Sequence, residues 1–213
     1  MKPATLVFDF GNVIGYFSHR KAAEQLSRFT TTPVETLVQT LFHCQTEIEL
    51  ESGRFTPEQF RDFMRKELNL RCSDKEFDTG FSDMFTPNLE VCSLIPALAA
   101  RHRLLLLSNT NWFHAGQFIR QFATVLKHFD RLFLSHEMGV RKPAQAIYRM
   151  LNENAGVAPA ECLFIDDMEA NIEAARENGW RGILYQSSAA LVQQLNQAGI
   201  LITPESTQSG EQV

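Results

Sequence analysis

Five short runs rich in Val, Leu, Ile and Phe, each closed by small or polar residues and separated by longer helix-like stretches, constrain this chain most. They are Leu6-Val7-Phe8, Leu104–Leu107, Arg131–Leu134, Leu163-Phe164-Ile165 and Gly182–Tyr185. The apolar residues run on without polar alternation, the pattern of strands buried on both faces. Helices are predicted at about 88–101, 111–122, 143–154, 169–178 and 188–198. Alternating strands and helices imply right-handed crossovers and a parallel sheet covered on both sides. Ligands in such sheets bind beyond the carboxyl ends of the strands.

Residues 18–86 break this alternation. Phe60/Phe63 and Phe77/Phe81/Phe85 recur at three- and four-residue spacing, and Thr32-Pro33, Thr56-Pro57 and Ser73-Asp74 mark helix starts. Such stripes predict the core of a small helical module. The expected fold is therefore α/β: a Rossmann-like parallel sheet flanked by helices, with a small all-helical domain inserted after the first strand. The expected boundaries are 1–17 for the first strand and hinge, 18–86 for the insertion, 87–202 for the remaining core and 203–213 for a polar, frayed tail.

With 213 residues, 44% hydrophobic and 21% charged, the chain can build one substantial core plus an accessory module. A formal net charge of −5 without any basic run argues against a nucleic-acid or anionic-membrane partner. Apolar stretches such as Leu104–Leu107 fall far short of the ~20 residues a spanning helix needs. Met1-Lys2-Pro3 leads into a strand-like run without the apolar region of a signal peptide, which gives a soluble, cytoplasmic protein as the expectation. Cys44, Cys72, Cys92 and Cys162 show no metal-binding or CxxC spacing and read as reduced, mostly buried thiols. No feature of the sequence sets an oligomeric state.

Chemistry-bearing residues gather where the strands end. The first strand leads into Asp9-Phe10-Gly11-Asn12-Val13, the second into Ser108-Asn109-Thr110-Asn111, a later segment carries Arg141-Lys142-Pro143, and the fourth strand runs into Asp166-Asp167. Singly, each has an ordinary explanation: Asp9, Asp166-Asp167 or Ser108-Asn109 as helix caps, Lys142 as a surface lysine. In a parallel sheet, however, all of them meet at one edge. Three converging carboxylates repel unless a cation joins them. Mg²⁺ favours a few carboxylates, a carbonyl, waters and a phosphate oxygen, so the set suits a magnesium–phosphate pair with Lys142 beside it.

These residues resemble the four motifs of the haloacid dehalogenase (HAD) superfamily, over nearly the whole chain. The resemblance implies that Asp9 is the nucleophile of an aspartyl-phosphate and that Gly11 gives a backbone carbonyl to Mg²⁺. Ser108 and Asn109 would hold the phosphoryl oxygens, and Lys142 would neutralise charge between nucleophile and phosphate. Asp166 and Asp167 would hold the metal, Asp167 directly and Asp166 through water, with Asn171 as a partner behind them. Segment 18–86 resembles the helical cap inserted after the first strand in this superfamily. Asp-x-Gly-Asn-Val with the later Ser-Asn-Thr-Asn resembles a sugar-phosphatase-like branch that includes bacterial glucose-1-phosphatases.

Gly11 departs from the usual phosphatase motif, which has a second Asp two residues after the nucleophile to protonate the leaving group and activate water. Asn12 cannot replace it, because an amide exchanges no proton near neutrality. His19 and His114 are the candidate substitutes for proton transfer. The leading expectation is a Mg²⁺-dependent phosphatase of a small phosphorylated metabolite, sugar phosphates first. One alternative is a regulatory protein that keeps metal and phosphate affinity but has lost turnover. A dehalogenase, which needs no metal, is disfavoured by the paired Asp166-Asp167.

Overall fold

The computed structural model describes residues 5–200. Five parallel strands form the central sheet: β1 (Thr5–Phe8), β4 (Arg103–Ser108), β5 (Arg131–Leu134), β6 (Cys162–Asp166) and β7 (Arg181–Leu184), in the order β5-β4-β1-β6-β7. The Rossmann-like α/β expectation is thus met.

Side chains along each strand divide between the faces as a two-residue period requires. Leu6, Phe8, Leu104, Leu106, Leu163 and Ile165 enter one apolar cluster, while Val7, Leu105, Leu107, Phe133 and Phe164 enter the other. Helices α6 (Leu89–Ala99) and α12 (Ser188–Gln197) cover the first face. Helices α10 (Gln145–Ala155) and α11 (Glu169–Glu177) cover the second, where Tyr148 and Trp180 pack edge to face at 5.3 Å. Among the described residues, no helix is long and apolar enough to cross a membrane.

Between β1 and α6 the chain forms β2 (Gly15–Phe17), then α1 (His19–Ser27), α2 (Val34–Phe42), α3 (Gln45–Glu51), α4 (Pro57–Glu67) and α5 (Asp74–Ser82), then β3 (Phe85–Pro87). Thr56 and Ser73 close capping boxes with Gln59 and Glu76, as the start signals predict, whereas Pro33 precedes α2 without a side-chain cap. Three expectations need correction. Residues 18–86 are not helical throughout, because Phe85-Thr86-Pro87 pair antiparallel with β2. Phe85 therefore leaves the helical stripe and packs against Phe10 and Phe118 of the core, with ring centroids 5.5 and 5.9 Å away. Phe63 lies at the surface, 38% exposed, while Phe60 is fully buried. Of the thiols, only Cys162 is buried and the other three are half-buried.

The helical segment meets the core through aromatic rings. Phe42, Phe60, Phe77 and Phe81 pack around Phe113 and His114 of α7 (Trp112–Gln121), with Phe81 5.5 Å from Phe113 and 4.6 Å from His114. After α3 the chain turns at Gly53, where φ is +68° and the backbone carbonyl of His136 occupies the space a Cβ would need. That close approach seats α3 over the carboxyl edge of the sheet, and the Arg141–Glu51 ion pair at 2.9 Å ties it there.

Candidate active site

β1, β4 and β6 stop at the same edge, so Asp9, Ser108 and Asp166 emerge side by side. The Asp9 amide donates to the Ile165 carbonyl at 2.8 Å, which fixes the turn out of β1. Lys142 reaches in between β1 and β6 and donates to Asp9 Oδ1 at 2.8 Å and Asp166 Oδ2 at 2.7 Å. Asp9, Lys142 and Asp166 are all buried, whereas Asp167 is half-buried. One oxygen from each of Asp9, Asp166 and Asp167 lies within 4.8 Å of the others.

Burial raises the Asp9 carboxyl to about 7; Lys142 opposes that rise, and Asp166 and Asp167 add to it. For Lys142, burial pulls downward, but the paired carboxylates Asp9 and Asp166 together outweigh it and hold the ammonium above its ordinary value. Three carboxylates against one ammonium leave two formal negative charges in a dry edge. A hard divalent cation matches both that deficit and the all-oxygen donor set.

The two acids of β6 and its following turn are held differently. Asp166 accepts from the Met168 amide (2.8 Å), from Lys142 and from both approaches of Asn171 Nδ2 (2.9 and 3.1 Å). Its lone pairs are largely committed. Among the described residues, Asp167 accepts only from Asn12 Nδ2, at 2.9 Å, and it faces the open cavity. Asn12 presents that amide with φ of +55°, a left-handed conformation that Asn tolerates better than most residues. No sequence signal linked Asn12 to Asp167, since they are 155 residues apart.

On β4, Ser108 is buried, and among the described residues its hydroxyl makes only a long 3.4 Å contact with the Asn109 carbonyl. Asn109 is turned toward the lysine loop. Its Oδ1 accepts from the Lys142 backbone amide at 2.8 Å and its Nδ2 donates to the Lys142 carbonyl at 3.0 Å, so the side chain clasps the lysine loop. Neither Ser108 nor Asn109 caps α7; Asn111 does, accepting from the Phe113 and His114 amides. Ser135 braces the same loop through Thr110, accepting from its amide at 2.9 Å and donating to its carbonyl at 3.0 Å.

Gly11 is hemmed in by a ring rather than strained in its backbone. A Cβ there would come 3.0 Å from Phe17 Cε1, and its φ lies outside the left-handed region that favours glycine. Phe17 therefore stands where a carboxylate side chain would begin.

The candidate histidines part ways. His114 is buried, with Nδ1 beside Asn111 Nδ2 (2.9 Å) and Nε2 beside the Phe81 carbonyl (3.3 Å). A carbonyl only accepts, so Nε2 carries the proton and Nδ1 accepts from the amide. Burial lowers this imidazole to about 3, and both nitrogens are spent on structure. His19 does line the cavity, stacked on Phe42 at 4.2 Å; burial, with a smaller effect from His43, lowers it to about 4.

The cavity over Asp9 measures about 350 Å³. Its floor comes from Asp9, Gly11, Asn109, Lys142 and Asp167, and its roof from Phe42, His43, Glu47 and Glu51 of α2, α3 and the turn between them. The roof carboxylates were not among the residues expected from sequence. Their four-residue spacing on a short helix is also that of an ordinary solvated face.

The chain is similar to several known proteins. D-ribitol-5-phosphate phosphatase of Bacteroides thetaiotaomicron is 27% identical over 199 residues, which cover 89% of this chain and 95% of that one. A HAD family enzyme of the same species, crystallised with magnesium and inorganic phosphate, superimposes with a TM-score of 0.76 at 25% identity, covering 86% of this chain and 94% of that one. L-2-haloacid dehalogenase of Xanthobacter autotrophicus, 20% identical with a TM-score of 0.63 over 94% of this chain and 85% of that one, shares the fold. The family model described as haloacid dehalogenase-like hydrolase matches residues 4–179, from the first strand to the end of the helix behind Asp166-Asp167, and the chain belongs to that family.

Proposed function

We propose that this protein is a Mg²⁺-dependent phosphatase of sugar phosphates, sugar alcohol phosphates included, working through a phosphorylated Asp9. The observation that carries the reading is the buried edge where Lys142 bridges Asp9 and Asp166 while Asp167 stands open to the cavity. The metal would be held by Asp9, Asp167 and the Gly11 carbonyl, with Asp166 acting through water. When bound, it supplies positive charge to the phosphoryl oxygens and offsets the excess carboxylates.

In this reading Asp9 attacks phosphorus, a weak nucleophile whose success depends on position and on charge stabilisation. Lys142 holds Asp9 in place and meets the phosphoryl charge. The Ser108 hydroxyl is the directional donor, and Asn109 acts mainly by fixing the Lys142 loop. Residues 18–86 act as the cap, whose roof over the cavity excludes water and selects the alcohol. The relative that hydrolyses D-ribitol 5-phosphate supports the substrate class.

A second reading rests on Phe17, which fills the side-chain space at Gly11: a phosphometabolite-binding protein without turnover. A panel of phosphomonoesters including sugar 1-phosphates and D-ribitol 5-phosphate, assayed with Mg²⁺ and after chelation, separates the two. Inorganic phosphate binding is measured on the same samples. Turnover that needs Mg²⁺ is expected; undiminished turnover after metal stripping contradicts the proposal, and binding without turnover establishes the second reading.

A further inference from the structure

Gly11 leaves the expected proton-transfer site without a side chain, and neither histidine replaces it. His114 has both ring nitrogens engaged, and His19 is held neutral against Phe42. The remaining groups that face the cavity are Asp9, Lys142 and Asp167 below, and His43, Glu47, Glu51 and Arg141 above or beside it. Glu51 is paired with Arg141 at 2.9 Å. Glu47, one turn earlier on α3, is half-buried and, among the described residues, forms neither a hydrogen bond nor an ion pair. It lines the 350 Å³ cavity with Asp9, and also a recess of about 70 Å³ with Gly11 and Ser108.

We propose that Glu47 is the proton donor to the departing alcohol and then the base for the attacking water, taking from the roof the task that Gly11 leaves unfilled on the floor. The inference rests on the phosphatase reading and adds a catalytic residue to it. In the first step an Asp9 oxygen bonds phosphorus while the bond from phosphorus to the alcohol oxygen breaks. The electron pair leaves with that oxygen, which takes the Glu47 proton. In the second step the Glu47 carboxylate takes a proton from a water whose oxygen bonds phosphorus as the Asp9–phosphorus bond breaks. Inorganic phosphate is released and both side chains return to their starting states.

The protonation state suits the order of steps. Burial, then the Glu51 charge, raises the Glu47 carboxyl to about 8, with Arg141 pulling the other way. At neutral pH the acid form is therefore the resting one, and a donor with a pKa near the working pH is the efficient kind.

The test compares wild type and Glu47→Gln, with Mg²⁺, on p-nitrophenyl phosphate and D-ribitol 5-phosphate in rapid-quench single turnovers. p-Nitrophenolate leaves without a proton, whereas the ribitol alkoxide needs one. The burst of p-nitrophenolate should stay within about 3-fold of wild type, cleavage of D-ribitol 5-phosphate should fall by about 10²–10³, and the phosphoenzyme should persist. Wild-type cleavage of D-ribitol 5-phosphate should decline above about pH 8, and Glu47→Gln should lack that decline. Inorganic phosphate binding checks that the site is intact, and Glu47→Asp should retain more alkyl-ester activity than Glu47→Gln.

Equal losses on the two esters, no loss on either, or equal losses in Glu47→Asp and Glu47→Gln overturn the role of Glu47. A raised KM at unchanged kcat would show substrate binding instead, and also overturns it. A wild type that cleaves neither ester and forms no phosphoenzyme refutes the phosphatase reading itself, a result distinct from all of these.

Discussion

The floor and the roof of the cavity are built on opposite principles. On the floor, polar groups are locked: Lys142 between two carboxylates, Asp166 under Asn171, Asn109 across the Lys142 backbone, Ser135 against Thr110. The roof is held by stacked rings, the Arg141–Glu51 ion pair and a few hydrogen bonds such as that from His114 to the Phe81 carbonyl, and it carries in Glu47 a carboxyl without a hydrogen bond or ion pair among the described residues. A reaction that works by positioning charge needs a rigid first wall. A lid that opens for substrate and closes on it needs few directional bonds to break. On the proposed reading, the contrast places the nucleophile and metal ligands at the sheet edge and selectivity in the helices.

The sharpest way to break that contrast is to remove the lock on the floor. Lys142→Met strands Asp9 and Asp166 without their counter-charge, and losing one member of a buried ionic cluster costs about 3–5 kcal/mol. Turnover should fall at least a thousandfold, and denaturant unfolding should show this loss without metal. Mg²⁺ should recover part of it, because the cation replaces the missing charge. Unchanged stability would mean that the floor is not electrostatically locked.

Loosening the roof should be felt as stability and selectivity together. Phe81 is fully buried and touches Phe42, Phe60, Phe77, Phe113 and His114, so Phe81→Ala should cost about 3–4 kcal/mol. The ratio of turnover between good and poor sugar phosphates should narrow. A stable variant with an unchanged substrate profile would remove Phe81 from the roof's support.

Much of the floor is legible in the sequence, because carboxylates and a lysine at the ends of fully apolar strands contradict burial unless they serve one another. Asp9, Lys142, Asp166 and Asp167 converge as the parallel-sheet reading requires, and Asn171, implied only by the resemblance, donates to Asp166. The sheet itself was equally clear, since Leu104–Leu107 offers no polar face to water. What could not be read has physical reasons. β2 and β3 contribute three residues each, too few to show a period, and Phe85 falls by chance on the spacing of Phe77 and Phe81. The clasp of Asn109 and the bond from Asn12 to Asp167 join residues 33 and 155 apart, beyond any local pattern. Glu47 looks in sequence like any exposed helical acid.

The smallest effect near neutral pH tests the seam between roof and floor. His114 is lowered to about 3, so between that value and its ordinary 6.5 the folded protein binds fewer protons than the unfolded chain. Its contribution is fully present above pH 6.5 and is lost as pH falls toward 3, with a slope approaching about 1.4 kcal/mol per pH unit. His114→Gln should flatten that part of the stability profile by about one proton. An unchanged slope would show that His114 is not held neutral at the seam.

The proposed chemistry turns on phosphorylation of Asp9. Wild type mixed with Mg²⁺ and p-nitrophenyl phosphate, acid-quenched within milliseconds and digested for mass spectrometry, should carry close to one phosphoryl group per chain on the peptide containing Asp9. Hydroxylamine should remove it, as it does an acyl phosphate. Asp9→Asn should carry none while still binding inorganic phosphate. Turnover without any phosphorylated Asp9, or near-normal kcat in Asp9→Asn, would contradict the account.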